Sequence, residues 1–68
     1  MTGHRFEPGT RWSIRHRLPD GMATDAVGWV NMSDATHVVV ATPRGLQTIA
    51  FADVIAAREV PPPPPPRR

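Results

Sequence analysis

Between residues 10 and 18 apolar and polar side chains alternate strictly, with Trp12, Ile14, His16 and Leu18 on one side and Arg11, Ser13, Arg15 and Arg17 on the other. A period of two is the signature of a half-buried strand, because successive Cβ atoms point to opposite faces. Leu18-Pro19-Asp20-Gly21 then supplies turn chemistry, proline presetting φ and glycine free to take a positive φ, and it opens a polar loop that runs to Thr24. A second strand is expected over residues 25–32, with Ala26, Gly28, Val30 and Met32 on one face and Val27, Trp29 and Asn31 on the other. Both sides are partly apolar, so period two does not settle which faces inward. Gly28 reads as a bulge or as a sharp bend where the strand coils around a barrel corner. Ser33-Asp34-Ala35-Thr36 is a short polar turn, and residues 37–42 are β-branched enough for a central strand. Thr42-Pro43-Arg44-Gly45 fits a type I turn closed by a left-handed glycine, leading into a partner strand over 46–50. Residues 51–54 suit a single tight turn, and residues 55–60 a fifth strand.

One α-helix over residues 49–59 competes with that ending, since Ile49, Ala52 and Ala56 have nearly helical spacing. Phe51, Val54, Ile55 and Val60 weigh against it, being β-branched or aromatic. Five short strands, a long first loop, tight later hairpins and a one-turn helix before the last strand describe an all-β fold, a five-stranded SH3-like small barrel. Closing such a sheet removes the exposed edges that a free meander would keep. An OB-fold is the nearest competitor, but it normally places a helix between the third and fourth strands, where this chain has only a turn. The chain therefore divides into a disordered or loosely packed N-terminus (1–9), the barrel (10–60) and a C-terminal polyproline tail or linker (61–68). Six consecutive prolines lack amide hydrogens and can join neither sheet nor helix, so they form an extended rod of about 3 Å per residue.

The segments RWSIRHRL (11–18), TDAVGWV (24–30), VVVATPRG (38–45) and above all FADVIAAREVPP (51–62) resemble the SH3-like domain that precedes the catalytic domain in a group of bacterial GNAT-family N-acetyltransferases. The most specific piece is the ending, where an aspartate-valine-x-alanine-alanine stretch runs through a basic residue and valine into prolines. The resemblance implies a noncatalytic accessory module joined by a proline linker to an acetyltransferase. This chain lacks the acetyltransferase domain of that layout, and it has no glycine-rich loop of the kind that cradles a pyrophosphate.

Composition narrows the reading further. About sixty residues before the proline run make one domain with a thin core and no room for a deep pocket. Cysteine is absent, which excludes disulfides, thiolate metal sites and thiol nucleophiles and makes a reducing cytoplasm the default location. No stretch approaches the roughly 20 apolar residues of a membrane span, and the start of the chain has no signal-peptide run. All eight basic residues are arginine, and six acids nearly balance them, so the net charge is only +2.

Candidate chemistry is sparse. His4, His16 and His37 are scattered, without ligand spacing and without cysteine to complete a zinc pattern, so no metal site and no cofactor is expected. His16 is expected to pack beside the core with its ring edge hydrogen-bonded. Serine, histidine and aspartate occur, but no strained nucleophile turn marks a hydrolase. Asp20, Asp25, Asp34 and Asp53 lie mainly at turns or element ends, where carboxylates accept backbone hydrogen bonds.

Arg11, Arg15 and Arg17 form a stripe on one face of the first strand, with Arg44, Arg58, Arg67 and Arg68 able to add charge. Such a stripe either contacts nucleic-acid phosphates or is a solvated face with local pairs to Asp25 or Glu59. Nucleic-acid-binding barrels usually set aromatic platforms beside the charge, and only Phe6, Trp12, Trp29 and Phe51 are available. Trp12 and Phe51 are needed for the core. Trp29 with its neighbour Val27 is the leading contact surface: if Val30 and Met32 face inward, a large ring faces out and is costly unless something covers it. If instead the register slips at Gly28, Trp29 belongs to the core. Residues 62–67 also fit the PxxPxR form of SH3 ligands, but those grooves are lined by aromatic side chains and the chain has no tyrosine. The match is taken as a coincidence. The expectation is an accessory or interaction module without enzymatic activity, partnered by an acetyltransferase domain in cis or in trans or by a second copy. A small basic barrel binding nucleic acid is the alternative, and a truncated gene product without a present role is a third possibility.

Overall fold

The alternating runs become five antiparallel strands in a computed structural model, which describes residues 5–62. They are β1 (Arg11–Arg17), β2 (Ala23–Ser33), β3 (His37–Thr42), β4 (Gly45–Ala50) and β5 (Val54–Glu59), with a single 3₁₀ turn at Phe51–Asp53 between the last two. The all-β expectation holds, including the one-turn helix before the last strand, and the competing α-helix over 49–59 does not form. Most of the polyproline tail lies outside the described residues.

The strands hydrogen-bond in the order β4-β3-β2-β1-β5. Between the edge strands there is no ladder among the described residues, so closure differs from the sequence expectation. Ile49 of β4 and Val54 and Ala57 of β5 instead meet in one core cluster. The 3₁₀ turn links the two edge strands, and both contribute side chains to the same core.

Alternation decides what is buried. Trp12 and Ile14 of β1, Ala26 and Val30 of β2, Val38 and Val40 of β3 and Ile49 of β4 form the core, with Phe51 packed against it. Burying a side chain of the larger apolar kind contributes about 1.5–3 kcal/mol, so few such groups can be lost from a domain this small.

Phe6, expected from the sequence in a loose N-terminus, is only 7% exposed and belongs to this core. Its ring meets Trp12 edge-on at a centroid distance of 4.7 Å and lies 5.7 Å from Phe51. Backbone bonds hold the segment in place, Gly9 N–H donating to Val30 O at 3.0 Å and Val30 N–H to Thr10 O at 2.8 Å. A short first strand leaves one end of the core uncovered, and an aromatic ring from the preceding residues covers it.

Two irregularities shape the sheet. The β2–β3 register shifts between Val30 and Met32, with Val30 opposite Val40 and Met32 opposite Val39. An extra residue reverses the facing of the residues beyond it, and Met32, expected inside with Val30, is exposed. A second shift, between Arg15 and His16 in the β1–β5 pairing, leaves Ile55 outside the ladder and exposed. Gly28 is not a bulge but the point where β3 passes over β2, because a Cβ there would overlap the carbonyl of Ala41. The β1–β2 register runs unbroken through Gly28, and its missing side chain serves this close approach.

Candidate interaction surface

β2 is the longest strand, and its two halves have different neighbours. Arg11 to Arg17 pair with Trp29 back to Ala23 along β1, whereas β3 pairs with β2 only from Trp29 onward. Beyond Ala41 the β3–β4 hairpin crosses above Gly28 and diverges from the first half of β2. The gap is an open groove of about 820 Å³ with Asp25, Val27 and Trp29 along one side and Thr42, Pro43 and Arg44 along the other.

The hairpin tip is built by its sequence. Thr42 pairs with Gly45 across Pro43 and Arg44, Gly45 adopts φ +116°, and Thr42 Oγ1 accepts from the Arg44 N–H at 3.1 Å while donating to Gly45 O at 3.0 Å. A side chain at residue 45 would be strained in that conformation. The turn carries Arg44 to the groove.

Trp29 stands on the outer face and is 41% exposed, with Val27 two residues away at 40%. Its register partners extend the row across the sheet, since Trp29 lies opposite Arg11 on β1 and opposite Ala41 on β3, and Ala41 lies opposite Leu46 on β4, which is 64% exposed. Cross-strand partners share a face, so Val27, Trp29 and Leu46 form an apolar patch with Arg11 at its border. The indole Nε1 of Trp29 has no hydrogen-bond partner among the described residues.

The arginines of β1 separate into different roles. Arg11 Nη1 donates to the carbonyl of Pro61 at 3.3 Å, so it secures the chain where it leaves the barrel. Arg15 forms an ion pair with Asp25 at 3.4 Å across the β1–β2 ladder, with both side chains about half exposed. Pairs of this kind contribute little to stability. Arg17 is exposed at the strand end. Within residues 5–62, six arginines (Arg5, Arg11, Arg15, Arg17, Arg44, Arg58) balance six carboxylates (Glu7, Asp20, Asp25, Asp34, Asp53, Glu59), so the formal +2 resides in Arg67 and Arg68.

The other titratable residues lie elsewhere. Asp20 accepts from the Met22 N–H at 2.9 Å, and Asp34 accepts from the N–H groups of Thr36 and His37 at 2.8 Å each, as turn carboxylates do. Those bonds, Thr36's first, hold the Asp34 carboxyl below its ordinary value. Asp25 departs from the turn expectation, sitting within β2 and facing Arg15. His16 is buried as expected, but its Nε2 has no hydrogen-bond partner, because the ring points into an apolar core. His37 Nδ1 lies 2.7 Å from Thr36 Oγ1 in the β2–β3 turn. Among the described residues no three His, Asp or Glu side chains gather where a metal ion would fit. His4 lies outside the described residues. No described helix is long and apolar enough to cross a membrane.

Sequence reasoning had named Trp29, Val27 and Arg11, and the register brings these three together. It named Arg44 only as added charge for the stripe and missed Leu46 and the groove itself, because their neighbourhood to Trp29 arises from pairing between strands. No curated protein and no solved structure gives a significant match to the chain. The family model of the Rv0428c N-terminal Sm-like domain matches residues 6–58, the whole barrel from the buried Phe6 to Arg58 near the end of β5, and the chain therefore belongs to that Sm-like domain family.

Proposed function

We propose that this chain is a noncatalytic, cytoplasmic accessory module that binds a GNAT-family acetyltransferase domain, in cis or in trans, through the outer face centred on Trp29. The supporting observation is the apolar row of Val27, Trp29 and Leu46, left exposed on a barrel whose core is already filled by Trp12, Phe6 and the β-branched residues. An exposed patch with an indole at its centre has the composition of a contact surface, since tryptophan is enriched among the residues that carry binding energy. The Arg11–Pro61 contact fits a linker role for the proline run, because it sets where that run departs, one strand away from Trp29.

The test begins with the DNA after the Arg68 codon, read in all three frames for an acetyltransferase. Titration calorimetry then measures binding of that polypeptide to this chain. Micromolar or tighter binding that weakens at least tenfold in Trp29→Ala is expected. No binding to an acetyltransferase polypeptide, or binding indifferent to Trp29, overturns the reading.

The placement of Trp29 between Arg11 and Arg44 in one groove favours a second reading, a single-stranded nucleic acid stacking on the indole with its phosphates on the guanidinium groups. A salt-sensitive mobility shift that is lost in Trp29→Ala and in Arg44→Ala would select it over the accessory module.

A further inference from the structure

We infer that the groove beside Trp29 receives the proline–arginine segment, residues 62–68, of a second copy of this chain. The inference rests on the outer face being a contact surface, and it names an occupant that needs no acetyltransferase.

Chemical complementarity is the first argument. A proline run offers backbone carbonyls but no N–H groups, so its binding site must supply donors and a flat apolar surface. The groove provides the Trp29 ring with its unpartnered Nε1–H and the Arg44 guanidinium, which has no bond among the described residues. Arg11 beside Trp29 already donates to a proline carbonyl, that of Pro61. The missing tyrosine, which made the PxxPxR match look coincidental in the sequence, is answered here by an exposed indole.

Spacing and charge are the second. Trp29 and Asp25 lie on the same face of β2, four residues or about 14 Å apart. Pro63 and Arg67 are likewise four residues apart, about 12 Å in a polyproline rod. With Pro63 against the indole, Arg67 reaches the Asp25 carboxylate, whose present partner is a half-exposed Arg15 at 3.4 Å. Of the charged residues that line the groove, Arg11 and Arg44 are cationic and Asp25 is the carboxylate, so Asp25 is the point at which a tail guanidinium can be received.

Direction selects a second copy over the chain's own tail. β5 is antiparallel to β1, as is β2, and the Val60 N–H bonds to Arg11 O at the level of Trp29. Residues 60–62 therefore run in the direction of β2, away from Val27 and Asp25, and a polyproline sequence is too stiff to turn back within so few residues.

The test is a complementation by sedimentation velocity on the full chain at micromolar to millimolar concentration. Wild type is expected to self-associate. Trp29→Ala, which keeps the tail, and P63S/P64S/P65S/P66S, which keeps the groove, are each expected to weaken self-association at least tenfold. Mixing the two variants is expected to restore a complex, because one supplies the tail and the other the groove. Circular dichroism of each variant and a Trp29→Phe chain with partial association control for folding. A wild type that stays monomeric overturns the inference, as does a mixture that does not associate. Self-association that survives in the tail variant overturns it in favour of barrel–barrel contact. Failure here with the acetyltransferase polypeptide still bound leaves the proposed function standing, and loss of both removes the surface.

Discussion

The carbonyl of Ala41 occupies the space where a side chain at Gly28 would stand. This one contact lets β3 cross above β2, end its ladder at Trp29 and leave the groove open along the first half of the strand. Gly28→Ala is therefore expected to force two backbones apart. Overpacking against a flexible side chain costs about 1–3 kcal/mol, and here the obstacle is main chain, so a loss of about 3 kcal/mol or more is expected. A fall in melting temperature of more than about 12 °C in calorimetry corresponds to that loss. An unchanged melting temperature would show that β3 does not pass so closely.

The two tryptophans are expected to separate in stability. Trp12 is buried, with its Nε1 donating to Thr10 Oγ1 at 2.9 Å, and Trp12→Ala is expected to cost about 3–5 kcal/mol, enough to unfold much of the population. Trp29 stands outside the core, and Trp29→Ala is expected to shift stability by no more than about 1 kcal/mol. Urea denaturation followed by circular dichroism checks both, and equal losses would place Trp29 in the core.

Removing the His16 imidazole is expected to stabilise the barrel. An unsatisfied buried polar atom costs about 1–3 kcal/mol, and Nε2 of His16 is such an atom. Leucine at that position keeps most of the packing and removes the penalty. His16→Leu is expected to raise unfolding free energy by about 1 kcal/mol, and a destabilised variant would indicate that the ring is hydrogen-bonded.

Asp34 gives the β2–β3 turn a defined pH dependence. Its carboxyl titrates below the ordinary 3.8 because the Thr36 and His37 N–H groups bond its charged form, Thr36's contributing most. The unfolded chain thus takes up the proton first as pH falls. The contribution to stability is complete above the ordinary carboxylate range and disappears as pH drops through the folded value. The stability gap between wild type and Asp34→Ala, measured by urea denaturation, is expected to be constant from pH 7 to about 5 and to narrow toward about pH 3. A gap independent of pH would mean that the charge does not matter to the turn.

Local chemistry carried most of the architecture. Alternation at residues 10–18, the Pro19–Gly21 and Pro43–Gly45 turns and the β-branched run at 37–42 each state a local preference, and no tertiary contact opposes them. The inward row of Ala26, Gly28 and Val30 was equally visible, and with it the outward one of Val27 and Trp29, though only relative to each other. Tertiary structure had to choose the sign, by laying Val30 against Val40 and the Ala41 carbonyl on Gly28. It also reversed Met32 through a one-residue register shift, since a bulge depends on how two strands meet and leaves no mark on either alone. Phe6 entered the core because a ring-sized space remained beside Trp12 and Phe51, a fact about packing and not about periodicity. The row from Arg11 through Trp29 to Leu46 belongs to the same class. Its members are far apart along the chain, and only strand register, fixed by pairing energies summed over the whole sheet, brings them to one face.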